Sequence, residues 1–279
     1  MIIFPNCKIN LGLRILRKRA DGYHDLETVF YPVAVRDALE IIPLASYEHT
    51  SAFPFSLSGA ALQGQPTSNL CVRAYKLLKK DFPDLPRIRM HLHKTIPAGA
   101  GLGGGSADAA FTLVLLNRMF RLNLSLEQLL AYAGELGSDC PFFILNKPCL
   151  ASGRGEKLEP IKVGLKGYRI LLVNPGIHID TAMAFVHIQP AIPEKPVGDI
   201  IRSLPFERWK DELFNDFEKA IFPLHTEIAE IKDELYRKGA LYASMSGSGS
   251  TVFGFFPPGK TPVCSFPVHY FTRLVDAEW

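Results

Sequence analysis

Residues 94–119 read KTIPAGAGLGGGSADAAFTLVLLNRM, from Lys94 to Met119. Gly99, Gly101, Gly103, Gly104 and Gly105 follow Pro97, and Ser106, Ala107, Ala109 and Ala110 open a helical pattern. Residues without side chains let backbone N–H groups turn toward one point. The helix behind them aims its unpaired N–H groups and the positive end of its dipole at the same point. Glycine runs also make simple tight turns. The coincidence of the loop, the small-residue helix start and Ser106 favours an anion site, and phosphate is the usual anion.

Working outward, Arg87 to Ile96 alternates, with Ile88, Met90 and Leu92 inward and Arg89, His91 and His93 outward. This is the period of a strand with one wet face. His91 and His93 are expected as exposed strand positions, since a metal site needs ligands that the sequence does not place. Gly99, Gly101 and Gly104 match the dinucleotide fingerprint GxGxxG letter for letter. That loop, however, follows a doubly buried parallel strand, which reads as a continuous apolar run. No Lys precedes Ser106, so the GxxxxGK[ST] loop is excluded. The HRD and DFG sequences that accompany the protein-kinase loop are absent.

The 279 residues allow one large domain or two modest ones, and 47% hydrophobic with 21% charged residues gives an ordinary globular core. A net charge of +3 does not point to general nucleic-acid or membrane binding. The cluster Arg14, Arg17, Lys18 and Arg19 reads as a solvated face. Cys7, Cys71, Cys140, Cys149 and Cys264 form no CxxC or zinc spacing, as expected of thiols in a reducing compartment. The first residues place their charges after the apolar stretch, unlike a signal peptide, and no run approaches the ~20 apolar residues of a membrane span. The expected location is the cytoplasm.

At the N-terminus Ile9, Leu11, Leu13 and Ile15 alternate with Lys8, Asn10, Gly12 and Arg14, which predicts a half-buried strand with Lys8 and Asn10 on one face. Asp21-Gly22 marks a turn carrying Tyr23 and His24. Further strands are expected at Leu26–Val35, Ala38–Pro43, Phe53–Leu57, Phe142–Leu145, Tyr168–Val173 and Thr251–Phe256, with one or two more in the tail. Helices are expected over Leu70–Phe82, capped by Thr67 or Ser68, over 126–136 behind a Ser125/Gln128 capping box, and after an Asp180 cap. Two more are expected at Trp209–Ile221 and Thr226–Lys238, while Gln189–Pro205 reads as a loop or linker. A turn at 151–156 suggests a division into an N-terminal part, 1–155, and a C-terminal part, 156–279.

Pro97-Ala-Gly-Ala-Gly-Leu-Gly-Gly-Gly-Ser106 resembles the phosphate loop of the GHMP small-molecule kinases, and Met245-Ser-Gly-Ser-Gly-Ser250 sits where that superfamily has its second glycine motif. The resemblance implies an α+β, two-domain GHMP-kinase-like fold. Its N-terminal domain would be ribosomal-protein-S5-domain-2-like, and its C-terminal domain an α/β sandwich with an antiparallel sheet. Lys8-Ile-Asn-Leu-Gly12, Arg19-Ala-Asp-Gly-Tyr-His24 and Leu136-Gly-Ser-Asp-Cys-Pro141 narrow it to the branch acting on a cytidine-diphosphate-linked methylerythritol in non-mevalonate isoprenoid synthesis.

That branch implies ATP with Mg²⁺ as donor, held by Pro97, Ala98, Gly99, Ala100, Gly101, Leu102, Gly103, Gly104, Gly105, Ser106 and Ala107. Asn69, Leu70 and Lys94 would line the nucleotide pocket, and Ser106 would reach the metal or the β-phosphate. Asp139 would be the base and Lys8 the neighbouring cation; an Asp before Pro141 also reads as a plain helix cap. Tyr23 and Phe185 would sandwich the cytosine, His24 would read its edge, and Asn10 and Thr181 would contact polar groups. The partner is then a small molecule, not nucleic acid or membrane, and the protein a monomer or homodimer. Another kinase of this fold, for homoserine or mevalonate, stays open, as does an inactive nucleotide- or RNA-binding module.

Overall fold

The computed structural model describes residues 1–44, 54–60 and 68–279. Phe53 and Thr67, named above as a strand start and a helix cap, lie outside the described residues. The chain forms two compact units that do not follow a single cut in the sequence. One unit takes residues 1–7, 35–98 and 104–146, the other 8–34, 99–103 and 147–279.

The first unit holds a sheet of β1 (Ile2–Ile3), β4 (Ala38–Pro43), β6 (Ile88–Lys94) and β5 (Phe55–Gly59), in that order. β4 runs antiparallel to β6, with Leu39 opposite Leu92, whereas β5 pairs with β6 in parallel. Ile88, Met90 and Leu92 are buried and Arg89 and His93 exposed, so the alternation named the wet face correctly. The unit's helices are α1 (Leu70–Asp81), α2 (Gly104–Phe120), α3 (Leu126–Leu136) and α4 (Cys140–Leu145). Both halves of the Ser125/Gln128 capping box are present at α3. The cap of α1 is Asn69, whose Oδ1 accepts from the Cys71 N–H at 2.9 Å, rather than Ser68. Asn is as good a cap as Ser, and the residue with extended backbone next to the helix takes the role.

Phe142–Leu145 is helix, not strand. A four-residue apolar run cannot be told from a buried helical turn by period alone. Pro141 in the first turn presets helical φ, and Asn146, at φ 46°, closes the helix in the left-handed region.

Lying in the second unit but for residues 6–7 and 35–36, β2 (Asn6–Lys18), β3 (His24–Arg36), β7 (Cys149–Ser152) and β8 (Lys157–Pro160) form one sheet. A second, antiparallel sheet has the order β10 (Tyr242–Met245), β11 (Val252–Phe256), β9 (Arg169–Asn174), β12 (Phe271–Asp276). Its core packs Leu171, Val173, Val252 and Phe256 with Phe217, Ile221, Ile228 and Leu235 from helices. Those helices include α8 (Asp216–Ile221) and α9 (Thr226–Arg237). α5 (Thr181–Val186) starts at the Asp180 cap as expected, with Asp180 Oδ1 accepting from Ala182 and Met183 N–H.

Three expectations change here. Gln189–Pro205 contains a helix, α6 (Val197–Ser203), whose Val197, Ile200 and Ile201 are buried; the prolines lie outside it, with Pro196 at its entry. Trp209–Ile221 is broken into α7 (Trp209–Glu212) and α8, because Asn215 leaves the helix to cap α8. β2 is buried on both faces from Cys7 to Leu13, not on one. Alternation assumes that polar residues face water, and here Lys8 and Asn10 face other polar groups.

Candidate active site

The glycine run begins in the second unit. Gly99, Gly101 and Gly103 have φ of 63°, 75° and 70°, a conformation that side chains disfavour. Three successive carbonyls of the run are engaged. Ala100 O accepts from Thr251 N–H at 3.3 Å, and Leu102 O accepts from Lys8 N–H at 2.9 Å. Between them, Gly101 O accepts from Ser246 Oγ at 2.8 Å. In a trans peptide the N–H points opposite to the carbonyl. The N–H groups of Gly101, Leu102 and Gly103 therefore turn away from these protein partners, as an anion-binding nest requires. The second glycine turn is itself supported by Asn215, whose Nδ2 donates to Met245 O at 2.7 Å and Gly247 O at 2.8 Å.

Lys8 is 4% exposed, with its Nζ donating to Asn10 Oδ1 at 2.7 Å and lying 4.6 Å from the Phe30 ring centroid. Asn10 Nδ2 donates to Thr28 Oγ1 at 3.0 Å, and Ser246 Oγ reaches Asn10 Oδ1 at 3.5 Å. Lys8, Asn10, the glycine run and Ser246 are thus one hydrogen-bonded cluster. A buried ammonium is tolerated because it is hydrogen-bonded and faces an aromatic ring.

The aromatic residues proposed for the acceptor also belong to the second unit. His24 and Phe185 stack with centroids 4.6 Å apart and planes 8° from parallel, and Phe185 packs edge-on to Phe217. Burial, then repulsion from Lys18, lowers the His24 pKa below 6.5, so its imidazole is neutral at pH 7. Tyr23 is 55% exposed, with the Arg154 guanidinium 4.8 Å over its ring. Thr181 Oγ1 lies 2.8 Å from Ser248 Oγ, which joins α5 to the second glycine turn.

In the first unit, α2 starts at Gly104, and Gly105, exposed in its first turn, lies beside Leu70. Ser106 hydrogen-bonds the Cys140 thiol, whose pKa burial pushes up to about 11. Asn69 spends its side-chain oxygen on capping α1. Lys94 is buried and its Nζ donates to Asp37 and, at 2.7 Å, to Asp108. Asp139 is half-buried and precedes α4, but its side chain makes no capping hydrogen bond. The plain-cap reading of this residue therefore has no support.

Asp37, Asp108, Thr28 and Ser246 carry weight that the sequence reading did not assign. Asp108 left a signal, a charge among the small and apolar residues Ala107, Ala109, Ala110 and Phe111. Ser246 lay in a motif already singled out. Asp37 and Thr28 left none, since their partners are distant in sequence.

Among the described residues, no helix is long and apolar enough to cross a membrane. The sequence models of the GHMP kinase N-terminal and C-terminal domains match residues 69–147 and 199–262. A 4-diphosphocytidyl-2-C-methyl-D-erythritol kinase from Bacteroides thetaiotaomicron is 55% identical over 261 residues, 94% of each chain. A crystal structure of 4-(cytidine 5'-diphospho)-2C-methyl-D-erythritol kinase superposes with a TM-score of 0.77 at 32% identity, over 92% of this chain and 91% of that one. The mevalonate kinase of Methanococcus jannaschii shares the fold, with a TM-score of 0.66 at 15% identity over 91% of this chain and 90% of that one. With identity of this extent along nearly the whole chain, the protein belongs to the 4-diphosphocytidyl-2-C-methyl-D-erythritol kinase family of the GHMP kinases.

Proposed function

We propose that the protein transfers the γ-phosphoryl group of ATP to the 2-hydroxyl of 4-diphosphocytidyl-2-C-methyl-D-erythritol, a step of non-mevalonate isoprenoid synthesis. The observation that carries the donor half is the engagement of three successive loop carbonyls, which leaves the N–H groups of Gly101, Leu102 and Gly103 for phosphate oxygens. The loop residues 97–107 cradle the nucleotide phosphates. Lys94 serves the nucleotide site from behind, since its ammonium is taken by two carboxylates. Asn69 and Leu70 border the same site at the start of α1.

Asp139 accepts the proton of the acceptor hydroxyl as that oxygen bonds to phosphorus. The bond from phosphorus to the β-phosphate bridging oxygen breaks, and ADP leaves. Phosphoryl transfer asks mainly for alignment and charge neutralisation. The Lys8 ammonium, held by Asn10, supplies positive charge for the transferring group. His24, Tyr23 and Phe185 hold the cytosine, and Asn10 and Thr181 contact polar groups of the acceptor.

Mg²⁺ would neutralise phosphate charge. Among the described residues no three His, Cys, Asp or Glu side chains gather to hold a metal, which suits an ion carried mainly by nucleotide phosphates and water. The Ser106 hydroxyl is the protein group offered to it. We place the protein in the cytoplasm, acting on small molecules alone.

The experiment is a coupled ATP assay with the cytidylylated methylerythritol, homoserine and mevalonate side by side. Turnover is expected with the first alcohol only. Turnover with homoserine or mevalonate, or with none of the three, refutes the assignment.

A further inference from the structure

The second glycine turn leaves a strand that has a neighbour on one side only, since β10 lies at the edge of its sheet. An edge strand presents backbone groups that no ladder satisfies. At Met245 both groups are taken by side chains at the start of α8. Glu218 Oε1 accepts the Met245 N–H at 2.8 Å, and Asn215 Nδ2 donates to Met245 O at 2.7 Å. Both side chains are buried, Asn215 at 2% exposure and Glu218 at 8%. Glu218 is fixed in turn by Ser244 Oγ at 3.0 Å and Lys232 Nζ at 2.6 Å.

Asn215 reaches further along the turn. Its Nδ2 also donates to Gly247 O at 2.8 Å, and its Oδ1 accepts the Phe217 N–H at 3.0 Å. Both of its donors and its oxygen are thus engaged. The two carbonyls it holds lie on either side of Ser246. The backbone of Ser246 is also tied, its N–H to Thr251 O at 2.8 Å and its carbonyl to Gly249 N–H at 3.0 Å. The Ser246 hydroxyl is the group that reaches out of the turn, to Gly101 O at 2.8 Å. There is little room to absorb a shift, because a Cβ added at Gly247 would meet Gly101 Cα at 3.3 Å.

Asn215 is anchored from behind as well. The Leu13 N–H donates to Phe214 O at 2.8 Å, and Leu13 and Asn215 form a parallel bridge. Asp216 Oδ2 accepts the Ile15 N–H at 2.8 Å. Leu13 and Ile15 belong to β2, whose Lys8 N–H holds Leu102 O. Residues 214–218 therefore join the strand that holds one loop carbonyl to the turn that holds the next.

We propose that Asn215 is a positioning residue for the phosphate loop. By fastening the carbonyls on either side of Ser246 to the strand that carries Lys8, it sets where the Ser246 hydroxyl meets Gly101 O, and with that the direction of the neighbouring N–H groups. It touches no nucleotide itself. Its two donors carry the role, and its capping of α8 does not. The role rests on the phosphate-loop reading above.

The test compares wild type with Asn215→Ala, Asn215→Ser, Ser246→Ala and the double variant Asn215→Ser/Ser246→Ala. Serine keeps an oxygen able to cap α8 but lacks the two N–H donors. Leu165→Ala, at a buried position that pairs with the chain end at Trp279, is the control for lost stability. The readouts are the melting midpoint without ligand and the dissociation constant of a non-hydrolysable ATP analogue, measured well below every midpoint. Asn215→Ala, Asn215→Ser and Ser246→Ala are each expected to bind the analogue roughly tenfold more weakly than wild type. The double variant is expected to lose about tenfold as well, rather than about a hundredfold, because both changes act on one contact. Leu165→Ala is expected to melt earlier yet bind within about twofold of wild type. Wild-type affinity in Asn215→Ser overturns the role, since capping then suffices. A hundredfold loss in the double variant overturns it too, since the residues then act separately. So does a loss in Leu165→Ala as large as that in Asn215→Ser. If wild type binds no analogue, the phosphate-loop reading fails and takes the role with it; if wild type binds and Asn215→Ser binds equally well, the role fails alone. Should Asn215→Ala not fold, the serine variant decides.

Discussion

Substituting Gly101 by Ala tests the interlock of the two glycine turns. A Cβ at this position would sit 2.0 Å from Ser246 O and 3.1 Å from Gly249 O, both backbone atoms that cannot swing aside as a side chain can. The residue also has φ 75°, where a side chain costs about 1 kcal/mol. Displacing a packed carbonyl adds roughly 1–3 kcal/mol. The Ser246 Oγ to Gly101 O bond, at 2.8 Å, is at risk in the same movement. Together these predict a loss of about 3 kcal/mol, or roughly 6 °C or more in melting midpoint for a chain of this size. Gly105→Ala is the control. Its added Cβ would have Leu70 Cδ1 at 3.8 Å as its nearest neighbour, and it lies at the start of a helix with no positive φ. That change is expected to be neutral or to stabilise by about 0.5 kcal/mol. Urea unfolding and thermal melts of the three proteins without ligand read the difference. If Gly101→Ala stays within about 0.5 kcal/mol of wild type, or if both variants lose equally, the close approach of the turns does not hold them.

Asp139→Asn is expected to lower kcat by roughly two to four orders of magnitude while leaving the affinity for an ATP analogue unchanged, because on the proposed mechanism only the proton acceptor is lost; near-normal turnover removes Asp139 from the role. For His24, burial and then Lys18 depress the folded-state pKa, so the unfolded chain takes up the proton first as pH falls. Stability from the neutral ring is present above 6.5 and shrinks as pH drops toward the folded value. Wild type should therefore lose melting midpoint relative to His24→Gln on going from pH 7 to 5, and a parallel pH course for the two removes the burial argument. On the proposed acceptor site, millimolar cytidine nucleotides should protect wild type from heat, and the same variant should lose that protection.

Much of the fold was legible because its signals are local. The alternation of Ile88, Met90 and Leu92 requires only neighbouring residues, as do the Ser125/Gln128 box and the Asp180 cap. What failed was local but ambiguous, as in Phe142–Leu145, or depended on partners elsewhere, as in β2. The candidate site divides the same way. The positions of Gly99, Gly101 and Gly103 are readable from seven letters, and all three are left-handed. Yet left-handed glycines permit many loop shapes, and a turn that points carbonyls inward would repel phosphate. The direction of the loop comes from Lys8 near one end of the chain and from Ser246 and Thr251 near the other. Each takes one carbonyl, and each lies far from the motif in sequence. Asp37 and Lys94, 57 residues apart, tie down the entrance to the run by the same kind of remote pairing. The glycines thus make a turned-in loop possible, and residues outside the motif decide which way its N–H groups point, as the proposed phosphate site requires.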